Sequence, residues 1–173
     1  MPSIFVSRAY SNKKKELPGW GWLALVWLPV LLGVLVIVIE STATFSAANT
    51  SSWLRPIAEA VFGRLSDATW EEAHHLLRKT GHFIGYGTLC VLFLRAWLLT
   101  VAADRRLSDL SWRLTSWTRA ILSTALVASC DEWHQSFLPS RTGKFTDVLL
   151  DTCGGILLSG LTLAAVWRQQ EKG

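Results

Sequence analysis

Long apolar stretches dominate the pattern of hydrophobic and polar positions along this chain. The first, Trp22–Ile39, holds no charged residue over 18 positions. Three more follow: Leu89–Val101, which only Arg95 interrupts, Ala120–Cys130 and Val148–Trp167. A helix of about 20 apolar residues crosses the roughly 30 Å hydrocarbon layer of a bilayer. The pattern therefore predicts an all-α membrane protein with four transmembrane helices.

A different pattern fills the segment between the first two spans. Residues Ser52–Leu65 mix apolar side chains with charged ones at helical spacing. This pattern is typical of a short amphipathic helix that lies on the membrane surface. Either Asp67 or Thr69 is then expected to cap a further helix, which can continue without a break into the second span.

Two residues inside the spans have a structural interpretation. Pro29 predicts a kink in the first span, and such a kink is tolerated where a neighbouring helix covers the freed carbonyl group. Arg95 lies one or two turns from the inner end of the second span. Its long side chain is expected to extend to the headgroups, as arginines near helix ends do.

The connections define how the chain is organised. Residues 102–116 are polar and basic and predict a short loop, whereas Ser136–Thr146 predicts a turn that joins the last two spans as an antiparallel hairpin. We expect residues 1–19 to be a disordered N-terminus, residues 20–168 to be one membrane domain and residues 169–173 to be a short tail.

Basic residues are unevenly distributed over the connections and explain the net charge of +4. They concentrate before the first span, between the second and third, and after the fourth: Arg8, Lys13, Lys14, Lys15, Arg105, Arg106, Arg113, Arg119, Arg168 and Lys172. Since cytoplasmic connections are enriched in lysine and arginine, both termini of this multi-pass cell-membrane protein are expected in the cytoplasm. The charge therefore predicts a topology and no nucleic-acid partner.

Tryptophans agree with a membrane location. Six of the ten lie near predicted span ends: Trp20, Trp22, Trp97, Trp117, Trp133 and Trp167. Indole rings prefer the membrane–water interface, so these six are expected there.

Nine polar residues gather beside the outer ends of the spans. They are Lys79, His82, Tyr86, Asp131, Glu132, Gln135, Arg141, Asp147 and Asp151. Spacings of three and four put Lys79, His82 and Tyr86 on one helix face, and Asp147 and Asp151 on another. Because ionisable groups are costly beside a membrane span, these nine residues predict a ligand-binding site. The alternative is a structural cluster of salt bridges that locks the helix ends together.

Several kinds of chemistry suit such a group. It can hold an ion, relay protons or bind a phosphorylated headgroup, and a carboxylate pair can hold Mg²⁺ together with substrate oxygens. A zinc site can be drawn from His82, His134, Asp131 and Cys130, but no tight ligand spacing supports it. The sequence therefore predicts no metal site and no required cofactor.

The spaced residues resemble a known family. The pattern consists of Lys79-x-x-His82-x-x-x-Tyr86, Asp131-Glu132-x-x-Gln135-x-Phe137-x-Pro139-x-Arg141 and Asp147-x-x-x-Asp151-x-x-Gly154. Over residues 22–167 it resembles the VanZ-like family of small bacterial integral membrane proteins, whose founding member is linked to resistance to teicoplanin-type antibiotics. The resemblance implies an inner-membrane location and a link to glycopeptide susceptibility. Ser140 stands where a glycine is common, and Asp151 where asparagine is frequent.

Three functions remain open from the sequence. The first is a binding protein for an anionic lipid headgroup or a lipid-linked envelope precursor. The second is an enzyme acting on a lipid-linked phosphate or ester, with His82 or Glu132 as general acid or base and with Lys79 and Arg141 stabilising negative charge. The third is an ion-coupled carrier, for which four short spans are sufficient only in a homo-oligomer.

Overall fold

Five α-helices make up the part of the chain that the computed structural model describes, residues 19–102 and 107–170, with backbone alone for residues 168–170. They are α1 (Gly19–Ser41), α2 (Ala47–Phe62), α3 (Asp67–Val101), α4 (Asp109–Gln135) and α5 (Phe145–Gln170), with one 3₁₀ turn at Ala43–Phe45. The prediction of an all-α fold is confirmed. The expected disorder of residues 1–18, the charges at 105 and 106 and the tail at 171–173 lie outside the described residues.

Helix α3 is the axis around which the other helices pack. It runs for 35 residues without a break, and its first turn is capped by Ser66, whose hydroxyl accepts a hydrogen bond from the Thr69 amide at 3.2 Å. At 1.5 Å per residue it is about 52 Å long, well beyond the hydrocarbon thickness. The expected continuity into the second span is therefore confirmed, but Asp67 and Thr69 are not the cap.

Close approach of α3 and α5 depends on glycine. A Cβ atom at Gly154 would lie 2.3 Å from the Phe83 carbonyl oxygen, and one at Gly87 would lie 2.6 Å from Leu158 Cδ2. By contrast, a Cβ at Gly81 would meet nothing within 4 Å. The helices thus pack at backbone distance at the Gly87–Gly154 level, as small residues allow in membrane helices.

Three described helices are long and apolar enough to cross a membrane: α1, α3 and Phe145–Trp167 of α5. The outward side of α1 is lined by leucines that are more than half exposed, among them Leu28, Leu31 and Leu35. Helix α4 has 27 residues but is less apolar than the other three. The described residues therefore contain three spans by composition, one fewer than the sequence predicted.

The predicted polar loop at residues 102–116 is wrong for most of its length, because α4 begins at Asp109. Ser108 caps the helix by accepting a hydrogen bond from the Ser111 amide at 3.2 Å. Trp112 and Ser116 are buried, and the Trp112 indole N–H donates to the Leu98 carbonyl at 3.0 Å. A buried face built from tryptophan, serine and alanine does not give the apolar run that reveals a core helix.

Some of the tryptophans join neighbouring helices. The indole of Trp97 donates to Ser123 Oγ at 3.1 Å, and that of Trp117 donates to Ser159 Oγ at 2.9 Å. Trp22 is buried, whereas Trp20 and Trp133 are largely exposed. Trp97 and Trp117 therefore contribute to helix packing, and the interfacial location of the six tryptophans stays a prediction.

A proline and an arginine form the joint between α1 and α3. Pro29 has no N–H, so the Leu25 carbonyl four residues earlier loses its helical donor. Arg95 of α3 donates to this carbonyl at 3.2 Å and to the Val26 carbonyl at 3.1 Å. The expected cover by a neighbouring helix is confirmed, but Arg95 provides it and does not extend to the headgroups as predicted.

Helix α2 lies against the first three turns of α3. It is capped by Ser46 and begins five residues before the predicted Ser52–Leu65 segment. Thr50 Oγ1 lies 3.1 Å from His74 Nε2, and the Trp70 indole donates to Ser51 Oγ at 2.6 Å. The amphipathic helix is thus fixed to α3 by polar contacts between the two helices.

Candidate functional site

A tight turn brings the C-terminal end of α4 beside the start of α5. Its tightness depends on Gly143, where a Cβ atom would lie 2.1 Å from the Glu132 carbonyl oxygen. The Arg141 amide donates to the Leu138 carbonyl at 3.0 Å within the turn. Polar residues of α3, α4 and α5 therefore meet at one end of the bundle.

One buried polar group is a three-residue network. The Tyr86 hydroxyl donates to Asp131 Oδ2 at 2.8 Å, and the Gln135 side-chain amide donates to the same oxygen at 3.0 Å. All three side chains are buried. This network links α3 to α4, and both of its hydrogen bonds end on the same Asp131 oxygen.

Above this network, three helices each contribute one ionisable side chain. His82 of α3, Glu132 of α4 and Asp151 of α5 have nitrogen and carboxylate oxygen atoms within 4.8 Å of one another. His82 Nδ1 lies 3.7 Å from Asp151 Oδ1, and Glu132 Oε2 accepts a hydrogen bond from the Lys144 amide at 2.8 Å. Asp151 is fully buried, and neither of its carboxylate oxygens has a hydrogen-bond partner among the described residues.

One ion pair closes the side of the site. Lys79 Nζ contacts Asp147 Oδ1, and both side chains are partly exposed. The pair joins α3 to the first turn of α5, one turn before Asp151 on the same face. It neutralises one of the four carboxylates that lie at this end of the bundle.

Arg141 reaches from the turn to the end of α1. Its Nη2 donates to the Glu40 carbonyl at 2.5 Å and to the Thr42 carbonyl at 2.9 Å. The Nε atom is buried and has no hydrogen-bond partner among the described residues. Burial, followed by the charge of nearby Arg78, lowers the pKa of Arg141 from its ordinary value. An anion placed beside it would stabilise its charge.

These groups surround a cleft of about 220 Å³. Six of the nine predicted residues line it, namely Lys79, His82, Glu132, Gln135, Arg141 and Asp147. Tyr86, Asp131 and Asp151 are buried side chains bound to or beside these six. The structure therefore brings all nine predicted site residues to one place.

The sequence missed Arg78, which also lines the cleft. Its Nη1 donates to the Phe45 carbonyl at 2.9 Å and lies 3.3 Å from Thr50 Oγ1, so it joins α3 to the segment around the start of α2. Its spacing of four from His82 was the available indication. His75 and the Lys144 amide also contribute to the site.

The zinc set drawn from the sequence is not assembled. His134 Nδ1 lies 3.4 Å from Ser41 Oγ, and His134 and Cys130 line a separate apolar groove between α1 and α4. Asp131 borders that groove as well, whereas His82 lies in the polar cleft. Among the described residues, the group with metal-ligating atoms close together is His82, Glu132 and Asp151.

Comparison with known proteins gives one match. No curated protein and no solved structure matches the chain. The family model described as VanZ/LLP1 matches residues 22–167, which include every residue of the cleft described above. This match covers most of the chain, and the protein therefore belongs to the VanZ/LLP1 family of membrane proteins.

Proposed function

We propose that this protein is a multi-pass membrane protein whose outward-facing cleft binds the anionic headgroup of a membrane lipid or of a lipid-linked envelope precursor. The orientation rests on the basic residues, which concentrate at the opposite end of the bundle and at both termini. In this arrangement both termini are cytoplasmic, and α2 lies on the outer surface.

The proposal includes a fourth crossing by α4. This helix packs against both α3 and α5, and its outward face carries Leu122, Leu126 and Trp133, all well exposed. At 27 residues it is about 40 Å long, enough to cross the hydrocarbon layer. Its charged residues Asp131 and Glu132 are directed into the bundle, which explains why its composition is less apolar than that of its neighbours.

Helix α2 suits the membrane surface in this arrangement. Trp53, Ile57 and Val61 follow each other at spacings of four and are 50%, 60% and 69% exposed. They form one exposed apolar ridge along the helix. Such a ridge would lie among the headgroups and acyl chains.

One observation carries the proposed anion binding: the two arginines of the cleft are held by neutral acceptors. Arg78 donates to the Phe45 carbonyl, and Arg141 donates to the Glu40 and Thr42 carbonyls. Neither guanidinium forms an ion pair among the described residues, so both positive charges remain available. Phosphate and carboxylate groups are the ligands that such guanidinium groups bind best.

A membrane lipid is favoured over a soluble anion by the depth of the cleft. Leu77 and Ile84 of α3 are more than half exposed on the other side of the helix, at the level of Lys79 and His82. Exposed apolar residues at this level indicate that the cleft lies near the headgroup boundary. A protein that binds a lipid or precursor there would change what cell-wall-directed glycopeptides meet at the surface.

Native mass spectrometry of the full-length protein in mild detergent tests this proposal. We expect retention of phosphatidylglycerol or a polyprenyl phosphate, but not of phosphatidylethanolamine. Arg141→Ala should abolish the retained species because it removes the unpaired donor. The matched control is Arg64→Ala, an exposed arginine after α2 that is outside the cleft. Equal lipid retention by both variants would contradict the proposal.

A second candidate, an enzyme for a lipid-linked phosphate or ester, is favoured by His82 and Glu132 lying together at the cleft. Either can act as general acid or base, while Arg141 stabilises developing negative charge. Incubation of the protein with polyprenyl phosphate or phosphatidylglycerol should then release product, and Glu132→Gln should stop release while lipid retention continues. Absence of turnover by the wild-type protein would leave the binding function alone.

The ion-coupled carrier and the homo-oligomer stay predictions.

A further inference from the structure

We propose that His82, Glu132 and Asp151 together hold a divalent metal ion at the base of the cleft. The role of this ion in headgroup binding rests on the proposed function, but the metal site itself does not. Each ligand comes from a different helix, so the ion would connect α3, α4 and α5 at one point.

The geometry requires only small movements. One ligand atom from each residue already lies within 4.8 Å of the other two. Metal–ligand bonds of about 2.0–2.2 Å place neighbouring ligand atoms roughly 3–3.5 Å apart, so atoms that lie 4.8 Å apart need to approach by about 1.3–1.8 Å. Rotation about side-chain torsions is sufficient for this change because two of the ligands are carboxylates.

The surroundings of Asp151 distinguish a metal site from a chance cluster of acidic residues. Its side chain has 0% exposure, and neither oxygen has a hydrogen-bond partner among the described residues. The nearest cationic group, His82 Nδ1, lies 3.7 Å away, beyond hydrogen-bond length. A buried carboxylate with so weak a contact costs several kcal/mol, and a bound cation would offset that cost.

The surrounding contacts already orient two of the three ligands. The Lys144 amide holds Glu132 Oε2 at 2.8 Å and leaves the other oxygen for an ion. The His82 ring stacks on Tyr86 with a centroid distance of 6.2 Å, and Tyr86 is itself fixed by Asp131. Such supporting contacts are typical of metal sites, where they set the orientation of the ligands.

Charge balance points in the same direction. Four carboxylates lie at this end of the bundle: Asp131, Glu132, Asp147 and Asp151. Lys79 pairs with Asp147, while Tyr86 and Gln135 donate to Asp131. Neither Glu132 nor Asp151 has a lysine or arginine side chain as an ion-pair partner among the described residues, and a divalent ion would supply that charge. One imidazole with two carboxylates suits Mn²⁺ or Zn²⁺ better than Mg²⁺ or Ca²⁺, which prefer oxygen ligands alone.

Three protein ligands leave at least one coordination position free. His82 and Glu132 line the cleft that Arg78 and Arg141 also line, so the free position would be directed into it. An anionic oxygen of the headgroup can then bind the ion while the arginines bind the other oxygens of the same group. The ion and the two arginines would thus act together on one phosphate-type ligand.

Metal titration of the full-length protein tests the site. The protein is stripped with EDTA in detergent and titrated with MnCl₂ or ZnCl₂, using calorimetry and, for Mn²⁺, electron paramagnetic resonance. We expect one ion per chain, with a nitrogen coupling that His82→Gln removes. Asp151→Asn and Glu132→Gln should weaken binding by about 30-fold or more. Asp147→Asn, the same change one turn earlier on α5, should weaken it by less than about tenfold, through charge alone.

Two results would overturn the metal site: no bound Mn²⁺ or Zn²⁺ in the wild-type protein, or undiminished affinity in Asp151→Asn. If one variant fails to fold, the nitrogen coupling of the wild-type protein still decides, because its absence contradicts ligation by His82.

Lipid retention measured with and without EDTA separates this inference from the proposed function. Arg141-dependent lipid retention without any bound metal would refute the metal site alone. Stoichiometric metal without lipid retention would refute the proposed function alone.

Discussion

Arg95 and Asp151 are both charged residues within the long helices, and their surroundings differ in one respect. The Arg95 guanidinium donates to the Leu25 carbonyl, which has no helical donor because of Pro29, and to the Val26 carbonyl. Asp151 is fully buried and accepts no hydrogen bond from the described residues. A charge whose partners all lie within the fold stabilises that fold, whereas an unpartnered buried charge indicates a place for a ligand.

The largest effect is expected where α3 and α5 approach each other closely, next to Asp151. In Gly154→Ala, the new Cβ would meet the Phe83 carbonyl oxygen, a backbone atom that cannot yield easily. We expect a loss of about 2–4 kcal/mol in the free energy of unfolding, because α3 and α5 must separate. Unfolding in mixed detergent micelles measures the loss, and lipid retention should fall with it. Unchanged stability would show that the approach of the two helices is adjustable.

The contact between Arg95 and α1 should matter for the stability of the protein and not for lipid binding. Arg95→Met keeps the length of the side chain but leaves the Leu25 carbonyl without a donor. We expect a loss of about 1–3 kcal/mol in the free energy of unfolding. Retention of anionic lipid, measured after folding is verified by circular dichroism, should equal that of the wild-type protein. Selective loss of lipid retention would contradict the assignment of Arg95 to the fold.

Replacement of Asp151 should have the opposite result: weaker metal binding without a loss of stability. In metal-free protein, Asp151→Asn replaces a buried charge by a neutral amide of the same shape, so the free energy of unfolding should stay equal or rise by about 1–2 kcal/mol. Thermal unfolding in EDTA measures the change, and metal affinity falls in the same variant. A clear destabilisation in EDTA would instead favour a structural salt bridge between Asp151 and His82.

A double-mutant cycle sharpens the interpretation of the joint. Pro29→Ala restores an N–H that can donate to the Leu25 carbonyl, so Arg95→Met should cost less in that background. We expect a coupling free energy of about 1 kcal/mol between the two positions, measured by unfolding of the two single variants and the double variant. Purely additive effects would show that Arg95 and Pro29 act independently.

The smallest effect is expected at Gly81, the matched control for Gly154. A Cβ atom at this helical position meets nothing within 4 Å. Gly81→Ala should therefore raise the free energy of unfolding by about 0.5–1 kcal/mol through helix propensity alone. A substantial loss in the same unfolding assay would mean that Gly81 also contacts a neighbour.

Periodicity revealed much of this arrangement. The spacing of Lys79, His82 and Tyr86 placed them on one face of α3, and the structure directs them to Asp147, Asp151 and Asp131 in turn. Spacing within one helix cannot show which residues of other helices lie opposite. The grouping of His82 with Glu132 and Asp151 therefore required the packed structure.

Adjacent acidic residues show another limit of sequence reasoning. Asp131 is bound by Tyr86 and Gln135, whereas Glu132 is bound by the Lys144 amide on the cleft side. Consecutive side chains on a helix point about 100° apart, so Asp131 and Glu132 contact different parts of the protein. Arg95 was misread for a related reason, because its partners are backbone carbonyls, which sequence patterns do not display.

The unbroken course of α3 has a consequence for where the protein can work. His82 lies 19 residues before Val101, which corresponds to roughly 28 Å along the helix, close to one hydrocarbon thickness. A stiff helix cannot shorten, so a thicker bilayer would submerge the cleft in acyl chains and a thinner one would raise it into water. If the cleft binds a lipid headgroup as proposed, bilayer thickness would control which part of the lipid is level with the arginines.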